Sequence, residues 1–244
     1  MLKKKKEKLI SVIMSVYNDE KNVSSSIQSI INQSYKNFEL LIMDDGSTDD
    51  TYKYIKKFSD DRIKIFRNKY NSGLTKSLNI LIQNSSGEII ARQDSDDLSL
   101  PARFEKQLNF LLNNSLQICT SRAVIKNTKK IIPKYSFYMP QKFVLQYKNP
   151  FIHGTLFVYK ELLKEVNFYD EEYKYAQDYR LFTKLINLGY KIHTMSDVLY
   201  VLNTKNNIST IYSERQKYYF EKAKNDFLNS NLIGKKWKLV LGQR

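Results

Sequence analysis

The sequence predicts an α/β fold: a mostly parallel central sheet flanked by helices, with a smaller C-terminal part packed on it. Two observations predict this. Between residues 9 and 114, short apolar runs rich in β-branched residues alternate four times with stretches of helical spacing, the pattern of a parallel sheet with helical crossovers. The unusual polar residues fall directly after those runs: Tyr17-Asn18, Asp44-Asp45, Asn71 with Gly73, and Asp94 with Asp96. Ligands of open parallel sheets bind beyond the carboxyl ends of the strands, so these residues share one rim.

The elements follow in order. LISVIMSV (9–16) is short and β-branched, a buried strand. Residues 20–33 place Val23, Ile27, Ile30 and Ile31 at helical spacing. FELLIMDD (38–45) is a second strand, DDTYKYIKKF (49–58) a short helix, and RIKIFRN (62–68) an alternating third strand. GLTKSLNILIQ (73–83) sets Leu74, Leu78 and Leu81 on one helical face, and EIIAR (88–92) is a fourth strand. PARFEKQLNFLLNN (101–114) is a helix with Pro101 in its first turn, where the missing N–H is harmless.

The second half is less regular. Residues 117–132 read as strand, and FIHGTLFVY (151–159) is apolar around a His-Gly pair. AQDYRLFTKLINLG (176–189) is a helix closed by Gly189. YKIHTM and DVLYVL (190–202) read as two strands, and SERQKYYFEKAKNDFLNS (213–230) as a polar amphipathic helix.

The 244 residues suit one sizeable domain, or one core with an appended segment. Cys119 is the only cysteine, so no intrachain disulfide forms and a reducing compartment is expected. No run approaches the roughly 18 apolar residues of a membrane span. The start MLKKKKEKLISVIMSVY lacks a small-residue cleavage site and reads as a first strand rather than a signal peptide. The formal net charge of +15 favours anionic partners. Lys3 to Lys6 and Lys8 form a basic arm, and Lys235, Lys236 and Lys238 flank Trp237 and Leu239. Those ends fit a membrane interface and a solvated tail equally well.

Against that basic background, Asp94-Ser95-Asp96 stands out. In an extended segment alternate side chains point the same way, so Asp94 and Asp96 can converge on a hard cation, Mg²⁺ or Mn²⁺. The competing account, acids complementing a helix N-terminus, covers Asp97 but not Asp94. In MDDGSTDDT (43–51), Ser47 with Asp50 forms a capping box and Gly46 a turn. Asp44 and Asp45 are left over, and a carboxylate there could accept from a nucleobase N–H. Asp178 is either a capping acid at a helix start or a general base for an attacking hydroxyl. His153 is expected as a hydrogen-bonded core histidine. Two histidines and one cysteine make a zinc site improbable. Dinucleotide, P-loop and serine-nucleophile motifs are absent.

In order and spacing, SVIMSVYNDEKNV, FELLIMDDGSTDDT, NSGLTKSLN, GEIIARQDSDDLSLPARFEKQ, HGTLFV and AQDYRLF resemble the family-2 inverting glycosyltransferases of the Rossmann-like GT-A fold. The resemblance runs from about residue 10 to about residue 209, and is strongest to bacterial transferases that build capsule, lipopolysaccharide or exopolysaccharide. It implies a nucleotide-sugar-binding half (1–115), an acceptor-binding half (116–212) and a C-terminal helix with basic tail (213–244). It implies that Val16 and Tyr17 line the base of a nucleotide, usually uracil, and that Asp45 accepts from that base. Gly73, Asp94 and Ser95 would lie on the nucleotide side, Asp96 would bind the Mn²⁺ or Mg²⁺ that holds the diphosphate, and Asp178 would be the catalytic base. The expected partners are a nucleotide-diphosphate sugar and a saccharide or lipid-linked saccharide acceptor, in the cytoplasm or at the inner membrane face.

The chain departs from the family pattern in places. Ser15 replaces a usual proline, Gln177 a usual Glu, and Lys184 a common Arg, which loses the bidentate fork. Asn203 and Thr204 stand where the family often has Arg-x-His. Two rival readings are a sugar nucleotidyltransferase, whose Gly-rich phosphate loop is missing, and a polyanion or nucleic-acid binder without catalysis, which predicts clustered rather than scattered charge.

Overall fold

The computed structural model describes residues 7–204 and the backbone of 213–240, with side chains through Asn229. The Lys3–Lys6 arm, the stretch after Thr204, and the side chains around Trp237 lie outside the described residues.

Among the described residues nine strands form one sheet: β1 (Ile10–Val16), β2 (Phe38–Asp44), β3 (Ile63–Arg67), β4 (Ile89–Arg92), β5 (Leu98–Ser99), β6 (Ile118–Ile125), β7 (Ile131–Ile132), β8 (Phe157–Tyr159) and β9 (His193–Leu202). Their order is β3-β2-β1-β4-β8-β6-β9-β5, with β7 beside β6. The first four run parallel to one another. Beyond β4 the sheet is mixed: β8 is antiparallel to β4 and β6, while β6 and β9 run parallel. The α/β architecture is the expected one, and because β5 pairs with β9, both halves share a single sheet.

Eight helices accompany these strands among the described residues: α1 (Val23–Ile31), α2 (Thr51–Ile55), α3 (Leu74–Asn84), α4 (Arg103–Asn113), α5 (Gln141–Val144), α6 (Lys160–Glu165), α7 (Gln177–Asn187) and α8 (Ser213–Val240). The alternation of side chains along a strand divides the core between the two faces of the sheet. Ile13, Leu41, Met43 and Ile90 pack with α3, α6 and α7. Val12, Met14, Leu40, Ile42 and Ala91 pack with α1 and α4. The continuous apolar strands of the sequence thus reflect burial on both faces. The early part of α8 docks on α7, with Phe220 4.4 Å from the Tyr179 ring and Ala223 and Phe227 in the core.

Several local expectations are corrected. Residues 190–202 hold one strand, β9, because His193–Leu202 pairs along β6 through two register shifts. Helix α4 begins at Arg103, so Pro101 lies before it, and its carbonyl accepts from Ser34 N–H. Ser47 and Asp50 make no capping box: α2 starts at Thr51, whose N–H donates to Asp49, while the Ser47 hydroxyl accepts from Asn18 N–H. The chain between Gly46 and Asp50 is held by the loop after β1 rather than by its own helix.

Arg103 is among the largest fully buried side chains of the described residues. Its guanidinium donates to Gln107, Gln93, Ser99 and the carbonyl of Arg92, and burial lowers its pKa to about 10. Removing it would orphan several buried acceptors, each worth about 1–3 kcal/mol. Arg103→Ala is therefore expected to lower stability by about 3 kcal/mol or more, read as a reduced midpoint in urea unfolding.

Candidate active site on the sheet rim

The parallel register levels the strand ends: Val16 lies opposite Asp44, and Asp44 opposite Arg67. Tyr17, Asp45 and Asn68 therefore emerge together. Val16 is buried and Tyr17 is half exposed. Asn18, in the left-handed region, turns its amide oxygen to Thr48 N–H at 2.8 Å. The loops after β1 and β2 are bolted together before any ligand arrives.

Asp44 is fully buried, accepts from Ser47 N–H, and lies 2.9 Å from Arg67 Nε. Asp45 is 2% exposed and accepts from Asn68 and from the backbone N–H groups of Ser72 and Gly73, at 2.6, 2.9 and 2.9 Å. Gly73 opens α3 without a side chain to cap it, so Asp45 supplies that cap from a distant strand. Gly46 explains how the loops fit: at φ +76, its missing Cβ would stand 2.6 Å from the Tyr70 carbonyl carbon.

The acidic turn joins β4 to β5. Gln93, fully buried, holds it from within, its amide nitrogen reaching the carbonyls of Asp94 and Asp97. Ser95 donates to Asp19 at 2.7 Å. Burial and the Asp19 charge push the Asp96 carboxyl up. Asp97 proves unlike the helix-dipole acid expected from sequence. It is buried before β5, well ahead of α4, and accepts from Asn203 N–H at 2.6 Å. Burial and Asp96 raise it to about 7.

Arg92, at the end of β4, is 3% exposed and paired with Asp94. Its charge also favours the ionised forms of Asp96, Asp97 and Asp178. Its Nε has no hydrogen-bond partner among the described residues. Gly154 makes room for Asp94: a Cβ there would sit 2.8 Å from Asp94 Oδ2 and 2.4 Å from the hydroxyl of buried Tyr200, which accepts from Asp94 N–H.

Asp178 lies in the first turn of α7, half-buried. Burial raises its pKa, opposed by the Tyr179 N–H, Arg92 and the Asn149 amide, which donates to Oδ2 at 2.8 Å. It lines a cavity of about 380 Å³ with Tyr147, Lys148, Lys217 and Phe220. His153 donates to or accepts from the Tyr169 hydroxyl at 2.7 Å, and burial together with Arg92 holds it neutral. Lys184 donates to the Val166 carbonyl at the end of α6, a structural task.

The structure thus gathers Tyr17, Asp45 and Gly73 at the first three strand ends, ties the Asp94–Asp96 turn to the loop after β1 through Ser95 and Asp19, and leaves Asp178 within the field of Arg92. Sequence reasoning missed Asp19, Arg92, Gln93 and Asn149. A charged residue closing an otherwise apolar strand was the available signal for Arg92, and the rim rule itself pointed to Asp19. Among the described residues no three acidic, histidine or cysteine side chains cluster as a protein-only metal cage. The oxygen donors present, Asp96 with Asp19 and Asp94 nearby, suit a hard divalent cation that shares its coordination with a phosphate ligand.

Residues 11–166 match the sequence profile of "Glycosyl transferase family 2". Over 202 residues the chain is 34% identical to the "Putative glycosyltransferase EpsE" of Bacillus subtilis (strain 168), covering 78% of this chain and 71% of that protein. Over 134 residues it is 39% identical to the "UDP-Glc:alpha-D-GlcNAc-diphosphoundecaprenol beta-1,3-glucosyltransferase WfgD" of Escherichia coli, covering 55% of this chain and 52% of that one. Its fold is like that of mannosyltransferase PcManGT from Pyrobaculum calidifontis, solved with GDP-Man and Mn²⁺: TM-score 0.67 at 22% identity, over 85% of this chain and 60% of that one.

Gly154→Ala is expected to force Tyr200 and Asp94 apart and to destabilise the fold by about 1–3 kcal/mol. Thermal unfolding measures this, and an unchanged Tm would show that the turn yields freely.

Proposed function

The chain belongs to glycosyl transferase family 2 and is a glycosyltransferase, and we propose that it moves a sugar from a nucleoside-diphosphate donor, a UDP-sugar, to a hydroxyl of a lipid-linked saccharide, inverting the anomeric carbon. Family membership sets aside the reading as a polyanion binder without catalysis. WfgD, by its name, uses UDP-Glc and a diphosphoundecaprenol-linked acceptor. The same class of partners suits this chain, in assembly of a bacterial surface polysaccharide at the inner face of the membrane. Among the described residues no helix is long and apolar enough to cross a membrane.

What carries the reading is the position of Asp178. It lines a cavity with aromatic and lysine walls, and it feels the charge of Arg92, which pairs with Asp94 in the acidic turn. Donor and acceptor would then meet over the rim from opposite sides. Tyr17 and the loop held by Asp45 form the nucleotide side. Asp94 and Ser95 face the ribose and diphosphate, and Asp96 would hold Mn²⁺ or Mg²⁺. When bound, that cation supplies positive charge against the departing diphosphate. Asp178 takes the acceptor's hydroxyl proton as its oxygen attacks the anomeric carbon and the bond to the diphosphate breaks. One displacement accounts for inversion, with no covalent intermediate on the chain. Burial keeps Asp178 more basic than an ordinary aspartate, which suits a proton acceptor. The Asn149 amide donates to Oδ2 and so helps to orient the carboxylate.

Thermal-shift measurements with UDP, GDP, CDP and dTDP, each with and without Mn²⁺, test the donor side. A shift is expected with UDP and metal, and Asp96→Asn is expected to abolish it. A shift with GDP alone would reassign the donor, and no shift with any nucleotide would overturn the site.

Asp178→Asn is expected to lower kcat by about 10²–10⁴-fold while leaving the UDP shift intact. In the wild type, activity should fall as pH drops through the raised Asp178 pKa, because the base is active only when ionised. The acid limb of the pH–rate profile is therefore expected above the ordinary aspartate value of 3.8.

A further inference from the structure

The span from Lys106 to Lys160 contains no Asp or Glu. Within it, residues 129–148 carry exposed Lys129, Lys130, Lys134, Lys142 and Lys148. Among the described residues no ion pair engages any of the five. The same segment displays Tyr135 at 74% exposure, Tyr138 at 78% and Tyr147 at 67%, with Phe143 and Met139 also exposed. Among the described residues the other exposed large apolar side chains are Tyr17, Ile65, Tyr70, Leu188 and Tyr218, dispersed along the sequence.

From this patch we infer that residues 129–148 dock the protein on an anionic lipid surface. Two features select a bilayer over a soluble polyanion. Tyrosine is favoured where one end of the ring meets acyl chains and the other meets water. Phe143 and Met139 add apolar contact that a solvated polyanion could not use, whereas lysines beside them gain from an anionic leaflet. Lys134 stacks its ammonium 4.8 Å from the Tyr135 ring, which keeps charge and ring together.

The patch also has a direction. It ends in Tyr147 and Lys148, which are walls of the Asp178 cavity. Docking would turn that cavity toward the headgroups, where a lipid-linked saccharide presents its hydroxyl. The orientation rests on the acceptor reading above; the docking itself does not. It places membrane contact on the acceptor side of the body, whereas the chain ends fit a membrane interface and a solvated tail equally well.

The test is flotation of the full chain with phosphatidylcholine vesicles, with and without phosphatidylglycerol, at low and high salt. Wild type is expected to float only with the anionic lipid. A quadruple Lys129→Gln, Lys130→Gln, Lys134→Gln, Lys142→Gln variant should lose about tenfold or more in partitioning. Tyr135→Ser with Tyr138→Ser should weaken binding at high salt, where charge is screened. Both variants should keep the wild-type thermal shift with nucleotide, so loss of flotation is separable from failure of the donor site. Four results would overturn the inference. These are patch variants that float like wild type, wild type indifferent to lipid charge, loss of flotation only on Lys235→Gln, Lys236→Gln, Lys238→Gln substitution, or binding to heparin but not to vesicles.

Discussion

A buried guanidinium among carboxylates organises the rim. Arg92 lies at the end of an apolar strand, almost fully out of water, where an uncompensated cation would be very costly. Asp94 pairs with it directly, and Asp96, Asp97 and Asp178 lie within reach of its field. The cation and the acids justify one another: neither could be buried alone. A second arginine supports the first from beneath, since Arg103 donates to the Arg92 carbonyl and to the Gln93 amide that holds the acidic turn. The strand end is thereby fixed in position from the helix side as well as from the sheet.

The strands were the most legible part of the sequence. Their apolar runs and the polar residues after them gave both the sheet and the rim, because burial on two faces leaves no other pattern for β1, β2 and β4. Local capping was less legible. Ser47 and Asp50 have the spacing of a capping box, but the Ser47 hydroxyl is taken by Asn18, a tertiary partner no local pattern reveals. Asp97 was misread for the same reason: its partner, Asn203, is far away in the chain. Residues 190–202 look like two strands because Ser196-Asp197 breaks the apolar run, yet pairing with β6 absorbs the break as a register shift.

The two sides of the site are built differently. On the β1–β3 side, acids satisfy backbone N–H groups of neighbouring loops, as Asp45 does for Ser72 and Gly73. On the side of α7, Asp178 has one side-chain donor, Asn149, and an open cavity. At Asp178 burial outweighs hydrogen bonding and leaves a carboxylate more basic than usual. Arg92 is the element the two sides share.

The close fit at Gly46 has a consequence for how such a protein can diversify. With the Tyr70 backbone 2.6 Å from where a side chain would begin, the loops after β2 and β3 have no slack. Insertion or enlargement in one would dislodge the other, and with it the cap on α3. Residues 133–148, after β7, contain no glycine fitted in this way, and much of their surface faces outward. Under the proposed division of the site, lineages descending from this fold could change the molecule they modify by lengthening or reshaping that segment, while the loops after β2 and β3 are inherited as a single block.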